Sequence, residues 1–372
     1  MDQAANKKFR VLLVDDSVFM LKVLEHIVGS DAQFQVVGRA KDGNEAVALA
    51  ESLKPDVITM DIMMPHMDGL KATELIMSRN PRPIVIVSSE SKEGADSTLK
   101  ALELGAIEFI AKPSAGVDLD MQTVREELLR KLRMAAKVRV VRTAAGPRQL
   151  AAPPKTAPLV SAAERASRMA ASDQRFPVVA VAASTGGPAT VMRLAPGFTK
   201  DFPGAVILVQ HMPASFTNQY ALQLREFTSI RVKEDEHNDV LQPSTLYVCP
   251  GSHHLRVNPT GRIQLDGSGR IGGYLPCIDV AFETVAAYAG ALSIGVVLTG
   301  MGNDGAGGVK AIKAVSGLTI AQDEETSVIF GMPSEAIKTG AVDLILPLKE
   351  IYPAIEKRVV ALCRPPLPVG AR

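Results

Sequence analysis

Hydropathy patterning assigns this chain of 372 residues to the α/β class: a (βα)5 unit, a linker, then a doubly wound, mostly parallel α/β unit with an added antiparallel hairpin. Strand-sized apolar runs alternate with amphipathic, helix-sized stretches through residues 9–133 and again through 177–363. Polar residues follow several of these runs, at the carboxyl ends of strands, where open α/β sheets build their sites. Between the two blocks, residues 134–176 lose the periodicity and carry eight basic residues against two acidic ones, as a solvated spacer does. The expected domains are 1–133, a linker over 134–176 that is helical around Ala162–Ala171, a second domain over 177–364, and a loose tail over 365–372.

Composition narrows the function classes. Apolar residues make up 47% and charged residues 22%, which excludes a chain disordered throughout. The net charge of +1 gives no global field for nucleic acid, and 4% aromatics without Trp give no base-stacking surface. No apolar run reaches the 18–20 residues of a membrane span. The N-terminus lacks a signal-peptide pattern, and three scattered cysteines without a CxxC argue for the cytosol and against a disulfide framework or zinc site.

In the first block, Phe9–Val14 reads as a buried strand ending in Asp15-Asp16, with Ser17 capping the next helix. Gln35–Arg39 is a strand, Asn44–Leu53 a helix stopped by Pro55, and Asp56–Met60 a strand ending at Asp61. Leu70–Arg79 is a helix, Ile84–Val87 a strand ending at Ser88, and Ser97–Leu104 a helix closed by Gly105. Ile107–Ile110 ends at Lys112, and Leu119–Arg133 is the last helix. Asp15, Asp16 and Asp61 therefore converge. Three carboxylates repel one another unless a hard cation such as Mg²⁺ neutralises them. Asp61 could then attack a phosphoryl group, with Lys112 and Ser88 holding its oxygens. His66, in the following loop, reads as a surface residue.

Val14-Asp15-Asp16-Ser17, Met60-Asp61-Ile62-Met63-Met64-Pro65, Met67-Asp68-Gly69, Val87-Ser88-Ser89 and Ala111-Lys112-Pro113 resemble the receiver domain of two-component response regulators over residues 8–130. The resemblance implies a flavodoxin-like fold and phosphorylation at Asp61 by a sensor histidine kinase. Ser88 replaces the commoner Thr and keeps the hydroxyl.

In the second block, Val178–Ala182 is a strand running into Ser184-Thr185-Gly186-Gly187-Pro188, with a helix from Ala189 to Leu194. Ala205–Val209 is a strand followed by His211, and Ser215–Glu226 is a helix. Arg231–Glu234, Thr245–Cys249, His254–Asn258 and Arg262–Leu265 are shorter strands around turns. Asp279–Ala289 is a helix, and the strand Ser293–Leu298 leads to Asp304 and a helix over Gly305–Ala314. Strands Leu318–Ala321 and Asp343–Leu346 flank a helix near Ser334–Lys338, and Leu348–Leu362 closes the domain.

Ser184, His211 and Asp304 thus lie at one edge of a sheet, which permits a nucleophile, a base and an orienting acid. Ser184 alone equally suits a helix cap. A dinucleotide reading also stands on spacing: Gly300-Met301-Gly302-Asn303-Asp304-Gly305 satisfies GxGxxG, and Asp323 lies 18 residues beyond Gly305. Asp304 inside that loop would repel a pyrophosphate at the helix N-terminus. His253, His254 and His237 read as solvated.

Ala183-Ser184-Thr185-Gly186-Gly187-Pro188, Gln210-His211-Met212, Tyr247-Val248-Cys249-Pro250-Gly251, Leu298-Thr299-Gly300-Met301-Gly302-Asn303-Asp304-Gly305-Ala306 and Phe330-Gly331-Met332-Pro333-Ser334-Glu335-Ala336-Ile337 resemble the CheB family of chemotaxis receptor methylesterases over residues 177–350. The resemblance implies hydrolysis of glutamate γ-methyl esters on cytoplasmic receptor helices, with glutamine deamidation beside it. It implies Ser184 as nucleophile, His211 as base, Asp304 as orienter, and Thr185 and the Met301 backbone at the oxyanion. It further implies a CheA-type kinase as phosphodonor, no cofactor for the esterase, and a receiver that covers the esterase site until Asp61 is phosphorylated. Two departures stand out: Ala182 replaces the usual Gly, and Leu275-Pro276-Cys277-Ile278-Asp279 replaces Arg-Pro-Ser-Val-Asp. Two rivals differ in class. One is a phospho-dependent interaction protein with a vestigial esterase site. The other is a DNA-binding regulator, for which no helix-turn-helix is recognisable.

Overall fold

The buried strands of this chain are continuous apolar runs, as strands covered on both faces must be. In the computed structural model, residues 8–89, 91–112, 121–138 and 176–363 are described. They form two compact units, one on either side of the stretch 139–175. The expected helix around Ala162–Ala171, most of the linker and the tail from 365 lie outside the described residues.

The first unit runs β1 (Phe9–Val14), α1 (Val18–Gly29), β2 (Phe34–Ala40), α2 (Gly43–Leu53), β3 (Val57–Asp61), α3 (Gly69–Arg79), β4 (Ile84–Ser88), α4 (Lys92–Glu103), β5 (Glu108–Ala111) and α5 (Met121–Ala135). Its sheet is wholly parallel, in the order β2-β1-β3-β4-β5. The order of strand addition reverses between β1 and β3, the switch point at which such sheets open a crevice. Helix α4 starts at Lys92, five residues before the expected Ser97, because Ser91 accepts the Gly94 N–H and caps it. Apolar periodicity gave no sign of that polar first turn.

The second unit runs β6 (Val178–Ala183), α6 (Gly187–Leu194), β7 (Ala205–Gln210), α7 (Ala214–Leu224), β8 (Arg231–Glu234), β9 (Thr245–Val248), β10 (His254–Val257), β11 (Ile263–Asp266), α8 (Ile278–Ala289), β12 (Ser293–Val297), α9 (Ala306–Ala314), β13 (Leu318–Gln322), α10 (Met332–Lys338), β14 (Leu344–Leu346) and α11 (Leu348–Cys363). Its sheet has seven strands in the order β14-β13-β12-β6-β7-β9-β8. All its pairings are parallel, so β8 and β9 belong to this sheet. Only β10 and β11 form the antiparallel hairpin. On one face, Val178, Ala180, Ala182, Ile207 and Val209 pack with Phe282 and Val285 of α8 in one core. Strand β6 sits at the second switch point, with β7 on one side and β12 on the other.

Candidate active site

In the first unit, the loop ends of β1, β3 and β5 gather charge. Ligand oxygens of Asp15, Asp16 and Asp61 all lie within 4.8 Å of one another. Asp15 and Asp61 are buried and Asp16 is exposed. The Lys112 ammonium sits 2.8 Å from Asp15 Oδ2 and 2.8 Å from Asp61 Oδ2. Burial pushes the Asp61 carboxyl above its usual value, ahead of the opposing pull of Lys112. For Lys112, burial acts downward, but hydrogen bonds to Asp15 and Asp61 outweigh it and raise the ammonium above its usual value.

Three carboxylates thus face one lysine. Asp15 Oδ2 pairs with that lysine, and Asp15 Oδ1 accepts the Ser17 N–H at 2.9 Å. An all-oxygen donor set with this excess of negative charge fits Mg²⁺. The Ser88 hydroxyl does not turn to the cluster: it donates to the carbonyls of Gly94 at 3.2 Å and Ser89 at 3.3 Å. His66 is exposed, as expected.

In the second unit, register does the positioning. Ala183 pairs with Gln210 across β6 and β7, so Ser184 and His211 leave neighbouring strands at the same level. Ala182 pairs with Val297 on the other side, so the loop carrying Asp304 starts beside them. The Ser184 N–H donates to Thr299 O at 3.1 Å, and Gln210 Nε2 donates to Ser184 O at 2.9 Å. Gly300 must lack a side chain, since a Cβ there would stand 2.8 Å from the Ser184 Cβ.

His211 Nε2 donates to Asp304 Oδ2 at 2.9 Å. Burial acts to raise the Asp304 carboxyl, but His211 and the backbone N–H groups of Ile278 and Asp279 outweigh it and hold the group below the usual carboxylate range. Asp304 is therefore the ionised acceptor, and the His211 proton sits on Nε2. Nδ1 is left as the ring's base. Among the described residues, no hydrogen bond joins the Ser184 hydroxyl to the imidazole. The structure thus brings His211 and Asp304 into direct contact and sets Ser184 on the adjacent strand end. Thr185 is buried, and its carbonyl accepts from Thr299 Oγ1 at 3.0 Å. Met301 is half-buried in the loop between β12 and α9.

Asp304 is itself seated at the N-terminus of α8, where the N–H groups of Ile278 and Asp279 donate at 2.8 and 2.9 Å and the Cys277 thiol at 3.4 Å. Asp279 returns the arrangement: its Oδ1 accepts from Gly305 and Gly308 at 2.8 and 2.7 Å, at the N-terminus of α9. Two helices are capped by each other's leading carboxylates. The dinucleotide reading fails here, because the protein's own Asp279 takes the N–H groups a pyrophosphate would need. Asp323 is spent on its own turn, accepting from Thr326.

His254 overturns its expected solvated role: it is fully buried. Nothing in its short sequence context separates it from its half-buried neighbour His253. Sequence reasoning also missed Tyr274, whose ring stacks on the His211 imidazole at 5.0 Å with planes 13° apart. Aromatic scarcity was the only signal that could have drawn attention to it.

A family model described as CheB methylesterase matches residues 179–355, and one described as response regulator receiver domain matches residues 11–145. The chain is 42% identical over 95% of its length, and 94% of the relative's, to a protein-glutamate methylesterase/protein-glutamine glutaminase of Pyrococcus horikoshii. It is 39% identical to the protein of that name from Symbiobacterium thermophilum, over 96% of this chain and 99% of the relative. A third of that name, from Thermotoga maritima, is 40% identical over 93% of this chain and 97% of the relative.

Proposed function

Since this chain belongs to the CheB methylesterase family and carries a response regulator receiver domain ahead of its esterase domain, we propose that it is a phosphorylation-activated serine hydrolase. It removes methyl esters from glutamate side chains of chemoreceptors and deamidates glutamine side chains at similar sites. It acts in the cytosol, in sensory adaptation. One observation carries the chemistry: an ionised, buried Asp304 holds His211 through Nε2 beside the strand end that bears Ser184.

In this reading His211 Nδ1 takes the Ser184 proton as Oγ attacks the ester carbonyl. The oxyanion forms beside Thr185 and the Met301 backbone. The C–O bond to methoxide breaks, the imidazolium gives it the proton, and methanol leaves an acyl-Ser184. Water, deprotonated by Nδ1, attacks that acyl group; the imidazolium returns the proton to Ser184 Oγ as the acyl C–O bond breaks, and the glutamate side chain departs as a carboxylate, its remaining proton released to solvent. With glutamine, ammonia leaves in place of methanol.

In the receiver, Asp61 attacks a phosphoryl group carried by a CheA-type histidine kinase. Asp15, Asp16 and Asp61 would hold Mg²⁺, which supplies positive charge to the phosphoryl oxygens. Lys112 adds its own charge beside Asp61.

The test is methanol release from methyl-labelled receptor membranes with Mg²⁺, with and without acetyl phosphate. Release should rise with acetyl phosphate and vanish in Ser184→Ala. An Ser184→Ala protein that still turns over at near wild-type rate rejects the nucleophile. Release unmoved by acetyl phosphate rejects control through Asp61.

A further inference from the structure

The two nitrogens of His254 close one loop. Nε2 donates to the Gly269 carbonyl at 2.6 Å, and Nδ1 accepts the Cys277 N–H at 3.0 Å. A neutral imidazole has one donor and one acceptor, so a single buried side chain satisfies both ends of the segment 269–277. Within that segment, Ile271 and Tyr274 exchange both backbone hydrogen bonds at 3.0 Å around Gly272 and Gly273. Both glycines have positive φ, 61° and 92°, as a two-residue turn of this hand requires. The turn delivers Tyr274 to the His211 ring. The Tyr274 hydroxyl donates to Asn303 Oδ1 at 3.2 Å, next to Asp304 in the chain. The far end of the segment, at Cys277, leads into the N–H groups that hold Asp304.

We propose that the strap 269–277, pinned by His254, is a positioning device for His211, and that Tyr274 is its contact residue. The imidazole has three constraints. Asp304 holds its Nε2 edge, the β7 end holds its backbone through the His211 N–H to Ala183 O at 3.0 Å, and Tyr274 covers one ring face. The first two still allow the ring to rock about the Nε2 hydrogen bond. The stacked phenol removes that motion and keeps Nδ1 aimed for proton transfer. Misplacement of a reacting group by about 1 Å costs on the order of 100-fold in rate, so a device of this kind acts on kcat.

The inference rests on the serine-hydrolase reading, and the experiment separates the two. Methanol release is measured with the full-length protein on methyl-labelled receptor membranes for wild type, Tyr274→Ala, Tyr274→Phe, His254→Ala, the double variant Tyr274→Ala/His254→Ala, and Ser184→Ala. Tyr274 is half-exposed, so its variants are expected to melt like wild type. Tyr274→Ala should lower kcat on the order of 10- to 100-fold with KM held within about threefold. It should slow organophosphonate labelling of Ser184 in parallel. Tyr274→Phe keeps the stack and should recover kcat to within about threefold of wild type. His254→Ala should reproduce the Tyr274→Ala loss, and the double variant should add little to either. Wild-type kcat in Tyr274→Ala, no recovery in Tyr274→Phe, or independent losses in the double variant overturns the strap. Activity in Ser184→Ala overturns the hydrolase reading instead.

Discussion

Replacing Asp304 by Asn tests the site where its hydrogen bonding is fullest. Both carboxylate oxygens are loaded: Oδ1 accepts from Asp279 N–H and the Cys277 thiol, and Oδ2 from Ile278 N–H and His211 Nε2. An amide offers one oxygen and one NH₂ group, so in either rotamer a donor faces donors. With NH₂ on the Oδ1 side, it meets the Asp279 N–H, and a buried hydrogen bond is lost at a cost of about 1–3 kcal/mol. With NH₂ on the Oδ2 side, it meets the Ile278 N–H, and His211 must turn its lone pair to the amide, which moves the ring proton to Nδ1. The base needed by Ser184 is then gone, and an orienting acid changed this way costs on the order of 10⁴ in kcat. The assay is kcat for methanol release beside a thermal melt. The expected result is a drop of about 10³–10⁴ in kcat with KM little changed and a lower Tm. A variant within about tenfold of wild-type kcat would refute the claim that the Asp304 charge, together with its hold on the His211 tautomer, drives catalysis.

Three further outcomes follow from the same structure. Asp279→Ala removes the acceptor for Gly305 and Gly308, so the unit should lose about 1–2 kcal/mol of stability, read as a lower midpoint in urea; an unchanged midpoint would discount the reciprocal cap. Asp235 is buried with neither oxygen hydrogen-bonded, and burial, then the Asp239 charge, raise its carboxyl well above the usual value. The fold therefore keeps a proton that the unfolded chain releases near pH 4, so stability should fall with rising pH above that point by about 1.4 kcal/mol per unit until the raised value is reached. Asp235→Ala should flatten that slope in urea melts across pH 4–8, and an identical slope would show Asp235 to be ionised in the fold. Chelation of Mg²⁺ by EDTA, or Asp61→Asn, should abolish phosphate incorporation from acetyl phosphate while leaving basal methanol release in place; incorporation that survives EDTA would reject the carboxylate cluster as the metal site.

The ends of strands were legible because they combine two local signals. Buried parallel strands are unbroken apolar runs, and the first polar residue after each run is the one the sheet edge presents. Asp15, Asp61, Lys112 and Ser184 stand at such positions and His211 one residue beyond, after Gln210, so one-dimensional pattern was enough to nominate them. Helix starts such as Lys92 were less legible, since a polar first turn leaves no apolar period to read.

The residues that hold the site in shape carried no such signal. His254 lies 43 residues beyond His211, and Tyr274 a further 20. Neither ends a strand of the main sheet; the partners of His254 are backbone groups of the segment 269–277, and those of Tyr274 are the His211 ring and the Asn303 side chain. Local pattern reports burial and period, which are properties of neighbours along the chain. Which carboxylate caps which helix, which nitrogen of His211 carries the proton and which ring lies on it are set by groups far apart in sequence. The sequence alone therefore determined the two sheets, their order along the chain and the residues presented at their edges. The tertiary structure alone decided that Ser88 turns away from the carboxylates, that Asp304 and Asp279 exchange helix ends, and that His254 closes the loop over His211, because each depends on through-space hydrogen bonds made only when the chain has closed.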